Sequence, residues 1–151
     1  MRFLRIRPSA ATLAALAYGL AHGAASGAEA GAQAFDLKAG QELTFAVKVE
    51  GGKVALSAPR ASKLGAAQPE DGEMTVGLTP RDKTLYEQVV VSEKTPVPID
   101  FLATGLVGGT KIDEAVLCGR LDAPVSAHIG AMSRRVSLHD FEVGKGGPTC
   151  P

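Results

Sequence analysis

The chain has 151 residues, with 16 Lys+Arg against 16 Asp+Glu and an apolar fraction of 45%. That is enough for one domain, and too balanced in charge for a disordered acidic or basic tail. With 18 Gly, 9 Pro, no Trp and 5% aromatics, a coiled coil or helical bundle is excluded in favour of a fold rich in turns.

The first thirty residues read as an export signal. Arg2, Arg5 and Arg7 give a basic start, Ser9 to Ala21 is an uncharged, mostly apolar run, and Ala28-Glu29-Ala30 offers small residues where a signal peptidase cuts. The run is too short for the ~20 residues that span a bilayer. Cleavage is expected after Ala30, with a flexible segment at 31–40 and one domain from 41 to 151. The protein is then periplasmic or secreted, with no stable membrane insertion once the signal is gone. The mature chain carries 13 basic and 15 acidic residues, without blocks. It lacks the concentrated basic patch that nucleic acid requires.

Gly and Pro supply 23 of the 121 mature residues and fall between short apolar runs. Leu43, Phe45, Val47 and Val49 alternate with Thr44, Ala46, Lys48 and Glu50, the pattern of a half-buried strand. Gly51-Gly52 permits the positive φ angles of a two-residue hairpin turn. That turn sets Glu50 against Lys53, Val49 against Val54 and Val47 against Leu56. Ala58 to Gly72 has no periodicity and reads as a long surface loop, able to act as a recognition loop and tolerant of replacement. Met74, Val76 and Leu78 resume alternation up to Pro80, and Leu85 to Val91 is a strand by its β-branched run.

A second hairpin is predicted around Gly108-Gly109. Val97, Ile99, Phe101 and Ala103 face inward, and the register sets Phe101 against Val116, Ile99 against Cys118 and Val97 against Arg120. Pro96 and Pro98 cannot donate to a ladder and suggest that this strand starts at a sheet edge, a second surface for a partner strand. A helix through Ile112, Ala115 and Val116 is the rival, disfavoured by Gly119. Val125 to Ile129 is a short strand ended by Gly130. In the last, Arg134 to Val143, Val136 and Leu138 share one parity and Phe141 and Val143 the other, so a bulge is expected near His139-Asp140. Seven or eight such strands make an antiparallel β-sandwich, immunoglobulin-like by architectural analogy, or a small barrel.

Cys118 and Cys150 are the only cysteines. In an exported chain an even pair reads as a disulfide, here tying down a Gly-rich tail and stabilising the fold by about 3–4 kcal/mol in the chain-entropy model. His128 and His139 are the only mature histidines. With Met132 and Asp140 nearby they are candidates for a copper or zinc site, provided that their strands are adjacent. A small hydrolytic site using the same residues is the other alternative, although no serine lies in a nucleophile elbow or an S-x-x-K motif. A carboxylate pair distant in sequence would be invisible at this level. Phe35, Phe45, Tyr86, Phe101 and Phe141 leave few exposed platforms for sugar. These observations favour a non-catalytic, cofactor-free module that meets a protein partner through a sheet face, an edge or a loop.

Overall fold

A computed structural model describes residues 33–80, 86–130 and 133–145. Ten strands lie within them: β1 (Phe35–Lys38), β2 (Gln41–Glu50), β3 (Lys53–Leu56), β4 (Arg60–Lys63), β5 (Glu73–Leu78), β6 (Glu87–Glu93), β7 (Ile99–Val107), β8 (Thr110–Leu117), β9 (Val125–Ile129) and β10 (Arg135–Val143). They form two antiparallel sheets. One has the order β1-β10-β7-β8 and the other β3-β2-β5-β6-β9, with β4 also on β2. The fold is all-β, a sandwich with one sheet curled toward a half-barrel.

Alternation puts one face of each sheet into a shared core. Leu43, Phe45, Met74, Val76, Leu78, Val89, Val91 and Ile129 come from the larger sheet, and Leu37, Ile99, Phe101, Ala103, Leu117, Val136 and Leu138 from the smaller. Burying such side chains contributes roughly 1.5–3 kcal/mol each. Phe45 joins the two sheets through ring contacts with Phe35 at 4.8 Å and Phe141 at 6.1 Å, and Phe101 stacks on Phe141 within the smaller sheet at 5.1 Å between centroids. A tilted or offset pair adds about 0.5–1.5 kcal/mol beyond its area.

The first hairpin has the expected register, with Val47↔Leu56, Val49↔Val54 and Glu50↔Lys53. Gly51 and Gly52 both have positive φ, at 57° and 77°, which a Cβ would oppose. The bulge in β10 also lies where the parity change puts it. The ladder with β7 shifts between His139 and Glu142, and Asp140 has φ 54°. That shift brings Phe141 onto the core side after Leu138.

Four expectations are corrected. The segment 31–40 contains β1, which pairs with β10 and buries Leu37 completely, so the fold begins before residue 41. The Ala58–Gly72 stretch contains β4, which pairs Arg60–Lys63 with Thr44–Gln41. β3 and β4 are two pieces of one edge along β2, linked where Ser57 N donates to Ala46 O. An edge strand exposed on most of its surface needs no apolar alternation: its backbone pairs with β2, and Arg60 and Ser62 bond the buried Glu73 and Glu42. The second hairpin is displaced by one residue: Phe101 faces Leu117 and Leu102 faces Val116. A bulge between Gly105 and Leu106 in the ladder gives β8 one extra residue, Ile112, and reverses every side chain beyond it. Finally, Val97–Ala103 is no edge, because β7 lies between β10 and β8.

The proposed leader lies outside the described residues. Among those described, no helix is long and apolar enough to cross a membrane.

Candidate functional site

β8 is an edge of the four-stranded sheet. Its bulge aims Ile112 and Val116 away from the core, leaving them 45% and 51% exposed. Val107 at the hairpin tip and Leu121 beyond the strand are also exposed. Four of the five large apolar side chains exposed among the described residues therefore lie on this hairpin or just after it; Tyr86 is the fifth. Single exposed apolar residues are ordinary on a protein surface; here Ile112 and Val116 share the outward face of one edge strand, with Val107 and Leu121 beyond its two ends.

A polar row crosses the same sheet face. Lys111 Nζ donates to Glu114 Oε2 at 2.7 Å, and Thr104 Oγ1 donates to the same oxygen at 3.0 Å. His139 Nε2 lies 2.8 Å from that hydroxyl, and its Nδ1 lies 2.9 Å from Asp140 Oδ2. The Lys111 and Thr104 donors hold the Glu114 carboxyl below its ordinary pKa. This order of groups superficially matches an activated hydroxyl, with an imidazole on one side and a carboxylate behind it. Thr104 is only 6% exposed, however, and its proton is directed to Glu114. The hydroxyl is buried and engaged on both sides, and the row links β7, β8 and β10 across this face.

The second histidine lies elsewhere. His128 is on β9 in the six-stranded sheet, whereas His139 is on β10 in the four-stranded one. His128 is exposed, 3.1 Å from Gln88 Nε2, with its ring edge-on to Tyr86 at 5.8 Å. The two histidines are not on adjacent strands, which removes the geometric condition for a joint copper or zinc site. No group of three or more His, Cys, Asp or Glu side chains that could hold a metal occurs among the described residues; Met132 lies outside them. The adjacent acids also part: Glu114 joins the outer row, while Asp113 turns to accept from Gly130 N at 2.7 Å.

Cys118 is half-buried just after β8. The displaced register puts Leu117, not Cys118, in the inward position beside Phe101. There is no free cysteine among the described residues, and Cys150 lies outside them. Gly119 next to it is buried so tightly that a Cβ would come within 2.3 Å of Ile99 N and 2.4 Å of Glu93 Oε1. Glu93 is 6% exposed; burial pushes its pKa up, against the Thr95 hydroxyl and the Ile99 N–H that its Oε2 accepts.

On the opposite face of the molecule, the Ala58–Gly72 stretch lies over the larger sheet. One carboxylate holds it there. Glu42, 3% exposed, accepts from Ser62 Oγ at 2.9 Å, Gly65 N at 2.8 Å and Ala67 N. Burial opposes its ionisation, but these donors outweigh burial and keep its pKa below the ordinary value. Arg60 forks onto both oxygens of Glu73 at 2.8 and 3.0 Å, fixing the other end. Nothing in the sequence marked Glu42: at a position of outward parity, a carboxylate reads as a solvated charge until the chain folds over it.

No family model, characterised protein or solved structure matches the chain.

Proposed function

We propose that the chain is an exported, non-catalytic interaction module that receives an extended segment of a protein partner along β8. The observation that supports this reading is the exposure of Ile112 and Val116 on the edge strand β8, with exposed Val107 and Leu121 beyond its two ends. An edge strand offers unpaired backbone donors and acceptors to an incoming strand, and its flanking apolar side chains supply contact area. Ile112 and Val116 lie outside the core cluster, so replacing both with Lys should leave the fold intact. Photo-crosslinking from position 112 in the native compartment should give a discrete partner adduct, and a probe at the exposed Lys48 of the opposite sheet should not. The double-Lys variant should lose the partner that wild type captures. A partner held equally by both would place binding elsewhere.

Export and the Cys118–Cys150 bond belong to the same proposal, since a thiol pair at the tail of a small domain is stabilising only outside a reducing compartment. One intact-mass measurement after alkylation under denaturing conditions tests both. The exported protein should lack residues 1–30, or a few fewer, and carry no alkyl group. A full-length mass would refute export, and a doubly alkylated chain would refute the bond.

A further inference from the structure

Between the Leu64–Pro69 stretch and the outer face of the larger sheet lies a half-open cavity of about 270 Å³. It is a built space. The register Glu42↔Gly77↔Val90 places a glycine in the floor, and Leu64 reaches over it: a Cβ at Gly77 would meet Leu64 Cδ1 at 2.4 Å. Leu64, Pro69 and Val90 give an apolar lining, and Thr75, Thr79 and Ser92 add hydroxyls. Thr75 is partly engaged with Thr44 at 3.0 Å, and Thr79 accepts from Gln88 N at 2.9 Å.

The electrostatics of this space are one-sided. Among the described residues, Glu42 is the only charged one that lines it. Its carboxylate is stabilised by N–H and O–H dipoles, and no cationic side chain pairs with it among the described residues. Dipoles satisfy hydrogen bonds without cancelling the net charge, so the wall stays negative in a partly desolvated space where charge acts strongly. An anion is repelled, and a sugar finds no aromatic platform there. The volume is below the ~300–1,000 Å³ usual for drug-sized ligands, so the occupant is small.

We propose that this pocket binds a primary ammonium or guanidinium group on a short apolar stem, the stem against Leu64, Pro69 and Val90 and the cation toward the Glu42 wall and the hydroxyls. A free alkylamine and a Lys or Arg side chain of a peptide share this chemistry. The proposal is independent of the β8 reading: the Ile112/Val116 double-Lys variant should bind the same probes unchanged.

The test is a titration of the mature protein followed by amide ¹H–¹⁵N shifts at Gly65, Ala67, Gly77 and Val90. The probes are n-pentylammonium, 1-pentanol, pentanoate and an acetylated, amidated Gly-Lys-Gly peptide. Saturating shifts are expected for the ammonium, the peptide or both, at concentrations of about 1–10 mM or below. Whichever of the two binds more tightly identifies the source. Saturation by pentanol at equal affinity would overturn the proposal, as would no saturation by either cation. Ser92→Phe should fill the space and abolish binding with the fold kept. Glu42→Gln removes the charge of the wall and should weaken binding roughly tenfold or more, the scale of one charge acting at close range in a partly desolvated site. If Glu42→Gln does not fold, the pentanol comparison and Ser92→Phe decide the matter, and unchanged binding in Ser92→Phe would place the probe elsewhere.

Discussion

The outer faces of the two sheets begin from similar patterns and end differently. On the larger sheet, Glu42, Thr44 and Thr75 hold outward positions, yet all three are buried: the chain after β4 folds over Glu42, and the two threonines bond each other. On the smaller sheet, β8 turns Ile112 and Val116 outward and nothing described covers them. Polar residues are sealed in on one face and apolar residues are left out on the other. The first arrangement is stable because every sealed charge has donors: three for Glu42, and the Arg60 fork with Glu70 N for Glu73. The second leaves apolar surface in water at a cost of about 25 cal/mol per Å², an expense that makes sense where another chain removes it.

Breaking the covered face should give the largest effect. Replacing residues 60–69 with a short Gly/Ser linker leaves Glu42 without its donors and Glu73 without Arg60. A loss of about 3 kcal/mol or more is expected in urea unfolding, where a solvated loop would have tolerated the change. Glu42→Ala alone should cost about 1–3 kcal/mol through the donors it strands. The same carboxylates define an acid limit. Glu42 and Glu73 have folded pKa values below the ordinary 4.5. Their stabilising effect is present above that value and is lost as pH falls below it through the depressed folded values. An acid midpoint that does not move in Glu42→Ala would break this account.

Glu93 has the opposite sign and sharpens the comparison. It is sealed at the end of β6 with one oxygen, Oε1, unpartnered. Its folded pKa lies above the ordinary carboxylate value, so the folded state binds a proton more readily than the unfolded chain. Stability therefore falls as pH rises from 4.5 through the raised value, and stays reduced above it. Glu93→Gln should raise the melting temperature at pH 7 by roughly 3–6 °C, the scale of a ~1 kcal/mol change in a domain of this size. It should make no such difference at pH 4. A variant less stable at both pH values would show that the carboxylate contributes by hydrogen bonding alone.

The smallest effect belongs to the outward side chains of β8. Ile112→Ser and Val116→Ser should each change stability by less than about 0.5 kcal/mol, as read by urea midpoint. A larger loss would mean that β8 is packed and unavailable to a partner.

Alternation by itself determined the class of fold, most strand positions and the register of the Gly51-Gly52 hairpin, because a period of two and a two-glycine turn are local properties of the backbone. The parity change before Phe141 located the bulge at Asp140 for the same reason. What the tertiary structure alone decided were the non-local features. The extra residue at Ile112 leaves no signature, since the hydrophobic run Ala115-Val116-Leu117 supports either register, and only packing of Leu117 beside Phe101 selects one. The strand Arg60–Lys63 has no apolar pattern because backbone pairing with β2 and polar bonds to Glu42 and Glu73, not apolar burial, hold it. His128 and His139 are eleven positions apart in a chain that puts them in different sheets, and spacing cannot report a crossover. Glu42 became the anchor of the covered face only once Gly65 and Ala67, more than twenty residues away, brought their N–H groups to it. A buried carboxylate is made by whatever folds over it.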